Sequence, residues 1–159
     1  MLSIKKQNDI IEKDKKMKKI ALFFLIIVII VVGMSYMYLN YKSNYNTAKR
    51  QNLKFESYYN QEIEGAELAT IINRAVDENT TNEIEKDKKG KYINNDNNSI
   101  NIDIKMLDND ETYSMETFYS GGIDKFVQYY SKINFKCTKI EYHKSTNKVK
   151  YMLFEQITQ

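Results

Sequence analysis

Thirteen consecutive residues, Ile20–Val32, are apolar, and the stretch from Ile20 to Leu39 carries no charged side chain. As a helix those twenty residues extend ~30 Å, the thickness of a bilayer's hydrocarbon core. The pattern predicts a transmembrane helix, with Tyr36, Tyr38 and Tyr41 where an interfacial aromatic belt is expected. Neither Pro nor Gly interrupts residues 34–64. Tyr41, Tyr45, Ala48, Asn52, Phe55 and Tyr59 recur at steps of three and four, one face of a helix. The span is therefore expected to continue as a helical extension (40–60), packing its tyrosine-rich face on a folded domain (61–159).

Within that domain the periods alternate. Leu68, Ile71, Ile72, Ala75 and Val76 make an amphipathic helix after Gly65. Residues 78–98 are polar and predict a flexible loop. Ile100, Ile102, Ile104 and Met106 alternate with polar residues, and a two-residue turn at Asn109-Asp110 would set Met106 opposite Tyr113, Ile104 opposite Met115 and Ile102 opposite Thr117. Gly121-Gly122 breaks the chain, and Ile123, Phe126, Val127 and Tyr130 have helical spacing. A last hairpin turns at "KSTN". It pairs Tyr142 with Val149, Ile140 with Tyr151 and Thr138 with Leu153 on the core face, and Glu141 with Lys150 on the other. Cys137 with Phe154 and Phe135 with Gln156 follow on that second face, so this end of the sheet is expected to be covered on both sides. The fold class is α+β, in the order α-α-β-β-α-β-β, with one four-stranded antiparallel sheet.

Charge settles the direction of the span. Residues 5–19 hold seven lysines (Lys5, Lys6, Lys13, Lys15, Lys16, Lys18, Lys19), whereas residues 40–54 hold four cations, of which only Lys42 is close to the span. The positive-inside bias keeps the basic segment 1–19 cytoplasmic and places the C-terminal domain outside the cell membrane. A cleaved export signal would have a shorter apolar core and a small-x-small site, which Gly33 and Ser35 match poorly. A type IV pilin would carry a Gly or Ala processing site and an acid five residues into the run. "KKMKK" precedes the run and no acid interrupts it, which leaves a permanent, single-pass signal anchor.

The net charge of +3 is concentrated before the span, so no nucleic-acid surface is indicated. Cys137 is the only cysteine and excludes an internal disulfide; it reads as a small buried strand residue. His143 is the only histidine, is expected to face solvent at the hairpin end, and lies too far along the strand from Cys137 for a catalytic dyad. One His and one Cys do not make a zinc site. "NNDNNS" and "DNDE" lack the glycine and distal glutamate of a calcium loop and read as turns. "SMET" at Ser114–Thr117 echoes a signal-peptidase motif without its proline. No catalytic, cofactor-binding or metal-binding residues are assigned, and no cofactor is called for.

Two stretches, "NLKFESYYNQEIEGAELATIINRAVDENTTN" and "INFKCTKIEYHKSTNKVKYMLFEQI", together with the anchor, resemble a group of uncharacterised single-span membrane-anchored proteins of low-GC Gram-positive bacteria. The resemblance implies class and location and carries no activity. The expected function is a non-enzymatic extracytoplasmic module of the bacterial cell envelope, anchored in the lipid bilayer through Ile20 to Leu39 and acting through protein contacts or self-association. The alternative is a pseudopilin-like subunit of a surface filament or secretion assembly.

Overall fold

The computed structural model describes residues 2–108 and 110–157. The chain divides into two compact units, Met1–Ser43 and Asn44–Gln159, and helix α1 (Leu2–Asn52) supplies residues to both. Within α1 an 18-residue window reaches a mean hydropathy of 2.9 and none of it is buried. By length and composition the helix can cross a membrane.

The second unit is α+β, with the strands β1 (Glu62–Glu64), β2 (Asn101–Lys105), β3 (Thr112–Ser114), β4 (Asn134–Tyr142) and β5 (Val149–Gln156). Its helices are α2 (Gly65–Thr81), α3 (Met115–Ser120) and α4 (Ile123–Tyr130). The sheet has five strands in the order β1-β4-β5-β2-β3, not four, and it is mixed. The two hairpins β2–β3 and β4–β5 are antiparallel as expected, but they meet through β2 and β5, which run parallel. Alternation along a strand fixes which face is buried and says nothing of which neighbour lies beside it or in which direction. The fifth strand has no periodic signal, because β1 holds three residues and only Ile63 between Glu62 and Glu64 is apolar.

Helix α2 buries the expected stripe of Leu68, Ile71, Ile72, Ala75 and Val76 against the sheet. Its first turn abuts the end of α4: the Gly65 N–H donates to Ile133 O (2.8 Å) and the Ala66 N–H to Ser131 O (3.3 Å). These bonds satisfy amides that a side-chain cap would otherwise serve. Helix α4 is as expected, with Phe126 buried. The segment 115–120, expected to continue a strand to Thr117, is instead the short helix α3. The β2–β3 register is accordingly shifted by two residues from expectation, with Ile104 opposite Tyr113 and Asp103 opposite Ser114. A shift of two preserves the buried face, and Ile100, Ile102, Ile104 and Met106 are all in the core. The expected tight turn falls partly on Asn109, which lies outside the described residues; Met106 N–H donates to Glu111 O (3.0 Å), so the connection is longer than two residues.

The last hairpin keeps the expected pairs Tyr142–Val149, Cys137–Phe154 and Phe135–Gln156 at its two ends, and shifts by one between them. Irregularities at Thr138 and Lys150 place Ile140 opposite Met152, and Glu141, not Ile140, opposite Tyr151. The expected Glu141–Lys150 pair is thereby lost, and Glu141 pairs with Lys139 on its own strand (2.6 Å). A bulge reverses the inside–outside alternation beyond it. That reversal puts Phe135, Cys137 and Phe154 in the same core as Val149 and Met152, in place of a second covered face.

Helix α1 ends at Asn52, short of Tyr59, and is followed by a 3₁₀ turn at Glu56–Tyr58. The Lys54 and Phe55 amides tighten onto Gln51 O (3.0 Å) and Asn52 O (2.9 Å), which swings Phe55 into the core. The buried residues at this end are Ala48, Gln51 and Phe55. Tyr41, Tyr45 and Tyr59, expected on the packed face, are 69%, 57% and 51% exposed. The expected face is kept at Ala48, Asn52 and Phe55: Asn52 Nδ2 donates to Asn147 O (2.8 Å) and its Oδ1 accepts from Val149 N–H (2.9 Å).

Candidate functional site

Two places in the folded unit concentrate polar or aromatic side chains. The first is a clasp between the β4–β5 turn and the loop before β2. Asn95 Oδ1 accepts from the amides of Asn97, Asn98 and Ser99 at 2.8–3.0 Å, a compact asparagine turn. The turn residues reach over it, Ser145 Oγ to Asp96 O and Thr146 Oγ1 to Asn97 O (2.6 Å). Beneath them the His143 Nε2 lies 2.7 Å from Ser99 O, which makes Nε2 the protonated nitrogen of a neutral ring. His143 is 2% exposed, contrary to the expected solvent-facing position, because this loop folds back over the hairpin end. Asn79, fully buried on α2, completes the arrangement by bonding both Ile100 O (2.7 Å) and Ile100 N–H (2.8 Å) at the start of β2.

The Asn95, Ser145 and Thr146 side chains and His143 Nε2 all bond groups of the same chain, so the geometry fits a structural fastening. Burial pushes the His143 pKa below 6.5, helped by Lys148 and Lys150, and opposed by the Ser99 carbonyl and Asp96. The folded state therefore favours the neutral ring, and its contribution is fully present above pH ~6.5 and declines as pH falls through that value. Because His143 is the only histidine, it dominates side-chain titration between pH 7.5 and 5.5. Urea unfolding is expected to show a lower midpoint at pH 5.5 than at 7.5, and His143→Gln should flatten the difference while lowering stability at both. An unchanged difference in the glutamine variant would contradict the buried placement.

The second place is a cleft of about 180 Å³ between α3 and α4. Phe118, Phe126, Tyr129 and Tyr130 line it, with the Gly121-Gly122 backbone and Lys125 at its rim. Phe118 meets Phe126 edge-on at 4.8 Å, so the inner wall is continuous with the core, whereas Tyr129 is exposed. Lys125 is the one charged lining residue, and the cleft offers apolar and aromatic contact without a paired acid and base.

Of the side chains considered for chemistry, His143 lies in the clasp, and Cys137 and Ser114 line neither place. Cys137 is buried in the core, as expected, and burial raises its thiol pKa to about 11, which leaves no thiolate at neutral pH. Ser114 ends β3 and precedes α3, and its side chain makes no cap. On the far face of the sheet Tyr151 OH donates to Asp103 Oδ2 (3.2 Å) and Lys139 lies over the Tyr151 ring (5.6 Å). Tyr142, at the hairpin end, has its pKa raised to about 12 by burial and by Glu56.

Two of these placements leave a trace in the sequence pattern. Asn79 continues the apolar stripe Leu68–Val76 at the next helical step, and a polar residue in that place signals a buried hydrogen bond. Tyr92, a lone aromatic in the polar segment 78–98, is 4% exposed; its hydroxyl reaches Thr80 Oγ1 (3.1 Å) and its amide donates to Glu116 Oε1 (3.1 Å). Comparison with family models, curated protein sequences and solved structures finds no match to this chain.

Proposed function

We propose that the protein is a membrane-anchored extracytoplasmic module of the bacterial cell envelope, non-enzymatic, working through contacts of its folded unit with other envelope proteins. The observation that carries this reading is the wholly unburied apolar window of α1. Twelve of the thirteen residues Ile20–Val32 are Leu, Ile, Val or Phe, which favours insertion by about −4 to −7 kcal/mol at about −0.3 to −0.6 kcal/mol each. Left in water, the same surface would drive aggregation. The lysine asymmetry supports an outward-facing domain. The contact reading is supported by the internal engagement of the polar side chains in the clasp and by the inert thiol of Cys137.

A membrane-impermeant maleimide tests the placement on wall-stripped cells. Lys144 is exposed at the β4–β5 turn and Lys13 precedes the span, while native Cys137 is buried and should stay silent. Lys144→Cys should label in intact cells and Lys13→Cys only after lysis; the opposite result reverses the topology. In the same cells, folded Cys137→Ala and Ser114→Ala chains should restore the phenotype of a deletion as well as the parent chain. Loss of rescue by either, at normal level and fold, would point to chemistry.

A second reading, a pseudopilin-like subunit, is favoured by the same unburied window, since packing against copies of α1 in a filament would also cover it. Crosslinked ladders of this chain alone would select that reading.

A further inference from the structure

We infer that the last helical turn before the span, Lys15–Lys19, is a binding surface for anionic phospholipid headgroups, in addition to setting orientation. The inference rests on the anchor reading and on neither direction of insertion. Lys15, Lys16, Lys18 and Lys19 are helical and exposed, and none forms an ion pair among the described residues. At ~100° per residue they cover about 160° of the helix circumference, one face and not a ring. At ~1.5 Å per residue, Lys15 stands only about 6 Å beyond Lys19, which adjoins Ile20. The headgroup layer is about 5–8 Å deep, so all four ammonium groups lie within it, at the level of the phosphates. The nearby acids do not neutralise them there. Asp14 and Glu12 stand one turn before Lys18 and Lys16, but neither pairs with them among the described residues, and residues 12–19 keep an excess of three positive charges, five lysines against two acids. Long lysine stems allow each charge to reach a phosphate while the methylenes, with exposed Met17, cover the hydrocarbon edge.

Clustered cations immediately beside a span attract anionic lipid, and the attraction is weakened by salt. An acidic protein would have to compete with a phosphate layer already in contact with all four lysines, which favours the lipid as occupant. The full chain, reconstituted in vesicles of mixed phosphatidylcholine and phosphatidylglycerol, can be probed with spin-labelled forms of each lipid. The motionally restricted fraction should prefer phosphatidylglycerol by about three- to tenfold at low salt. Lys15→Gln/Lys16→Gln/Lys18→Gln/Lys19→Gln should bring that ratio near one, and the four-arginine variant should keep it. The double variant Lys15→Gln/Lys19→Gln, expected to lose part of the ratio, replaces the quadruple chain should that chain fail to insert. Flotation of each sample separates the two failures. A wild-type chain that floats with the vesicles but shows no preference, or a glutamine chain that floats and keeps the full preference, overturns the lipid site and leaves the anchor standing. A wild-type chain that does not float with vesicles overturns both.

Discussion

Gly65→Ala is expected to destabilise the folded unit by about 3 kcal/mol or more, a large share of what a domain of this size has to lose. A Cβ at Gly65 would lie 2.0 Å from Tyr130 O and 2.7 Å from Tyr130 C, both backbone atoms. No rotamer change relieves a contact with main chain, so the start of α2 must draw away from the end of α4. Doing so stretches the Gly65–Ile133 and Ala66–Ser131 hydrogen bonds and loosens the Phe126–Phe135 contact at 6.1 Å behind them. The check is urea unfolding of the detergent-solubilised chain followed by circular dichroism. Gly33→Ala is the control, since nothing lies within 4 Å of a Cβ there. A Gly65→Ala chain within 0.5 kcal/mol of the parent, on the order of an ordinary surface substitution, would show that the α2–α4 approach is not as close as described.

The second large effect concerns the span. Ile26→Arg/Ile30→Arg places two guanidinium groups one turn apart near the middle of the apolar run. Each exchange costs about 3–4 kcal/mol on the insertion scale, so together they offset the roughly −4 to −7 kcal/mol that favours insertion. The double variant is expected to leave the membrane fraction largely, and either single variant only in part. Fractionation with immunoblotting of both fractions reads this. Full retention of the double variant after alkaline carbonate extraction would mean that something other than these residues holds the chain to the membrane.

What could be read in the sequence followed from periodicity and ended where periodicity is interrupted. The stripe on α2, the alternation through β2 and the helix at α4 all express a regular repeat, the long apolar helix of α1 an unbroken run, and each lies where the pattern placed it. The register of the last hairpin was legible at both ends and not between, because each bulge inserts one residue and an unbroken alternation cannot represent that. The bulges did leave a trace. Phe135, Cys137 and Phe154 fell on what should have been the outer face, and three apolar residues out of place were better explained by a reversal of faces than by a second covering layer. Strand β1 and helix α3 were too short to show a repeat, and the parallel contact of β2 with β5 depends on connections that alternation does not encode.

The candidate places were legible to a smaller degree. Cys137 was correctly read as buried because a cysteine in a strand with no partner is most often so. The burial of His143 is not legible locally, because it is created by Asn95–Ser99, more than forty residues earlier in the chain, and a hairpin end considered alone looks exposed. The cleft between α3 and α4 could not be seen at all while α3 was read as a strand, since its wall depends on Phe118 facing Phe126. The spacing along α1 places Asn52 on the packed face together with the tyrosines, but its two bonds to the β4–β5 turn require the folded hairpin to be in place.

The intact mass of the protein extracted from membranes of growing cells tests the central claim most directly. The account predicts a chain in which the lysine-rich segment and Ile20–Leu39 remain covalently joined to the folded unit. A membrane or secreted form beginning near Tyr36, with the apolar segment removed, would contradict it.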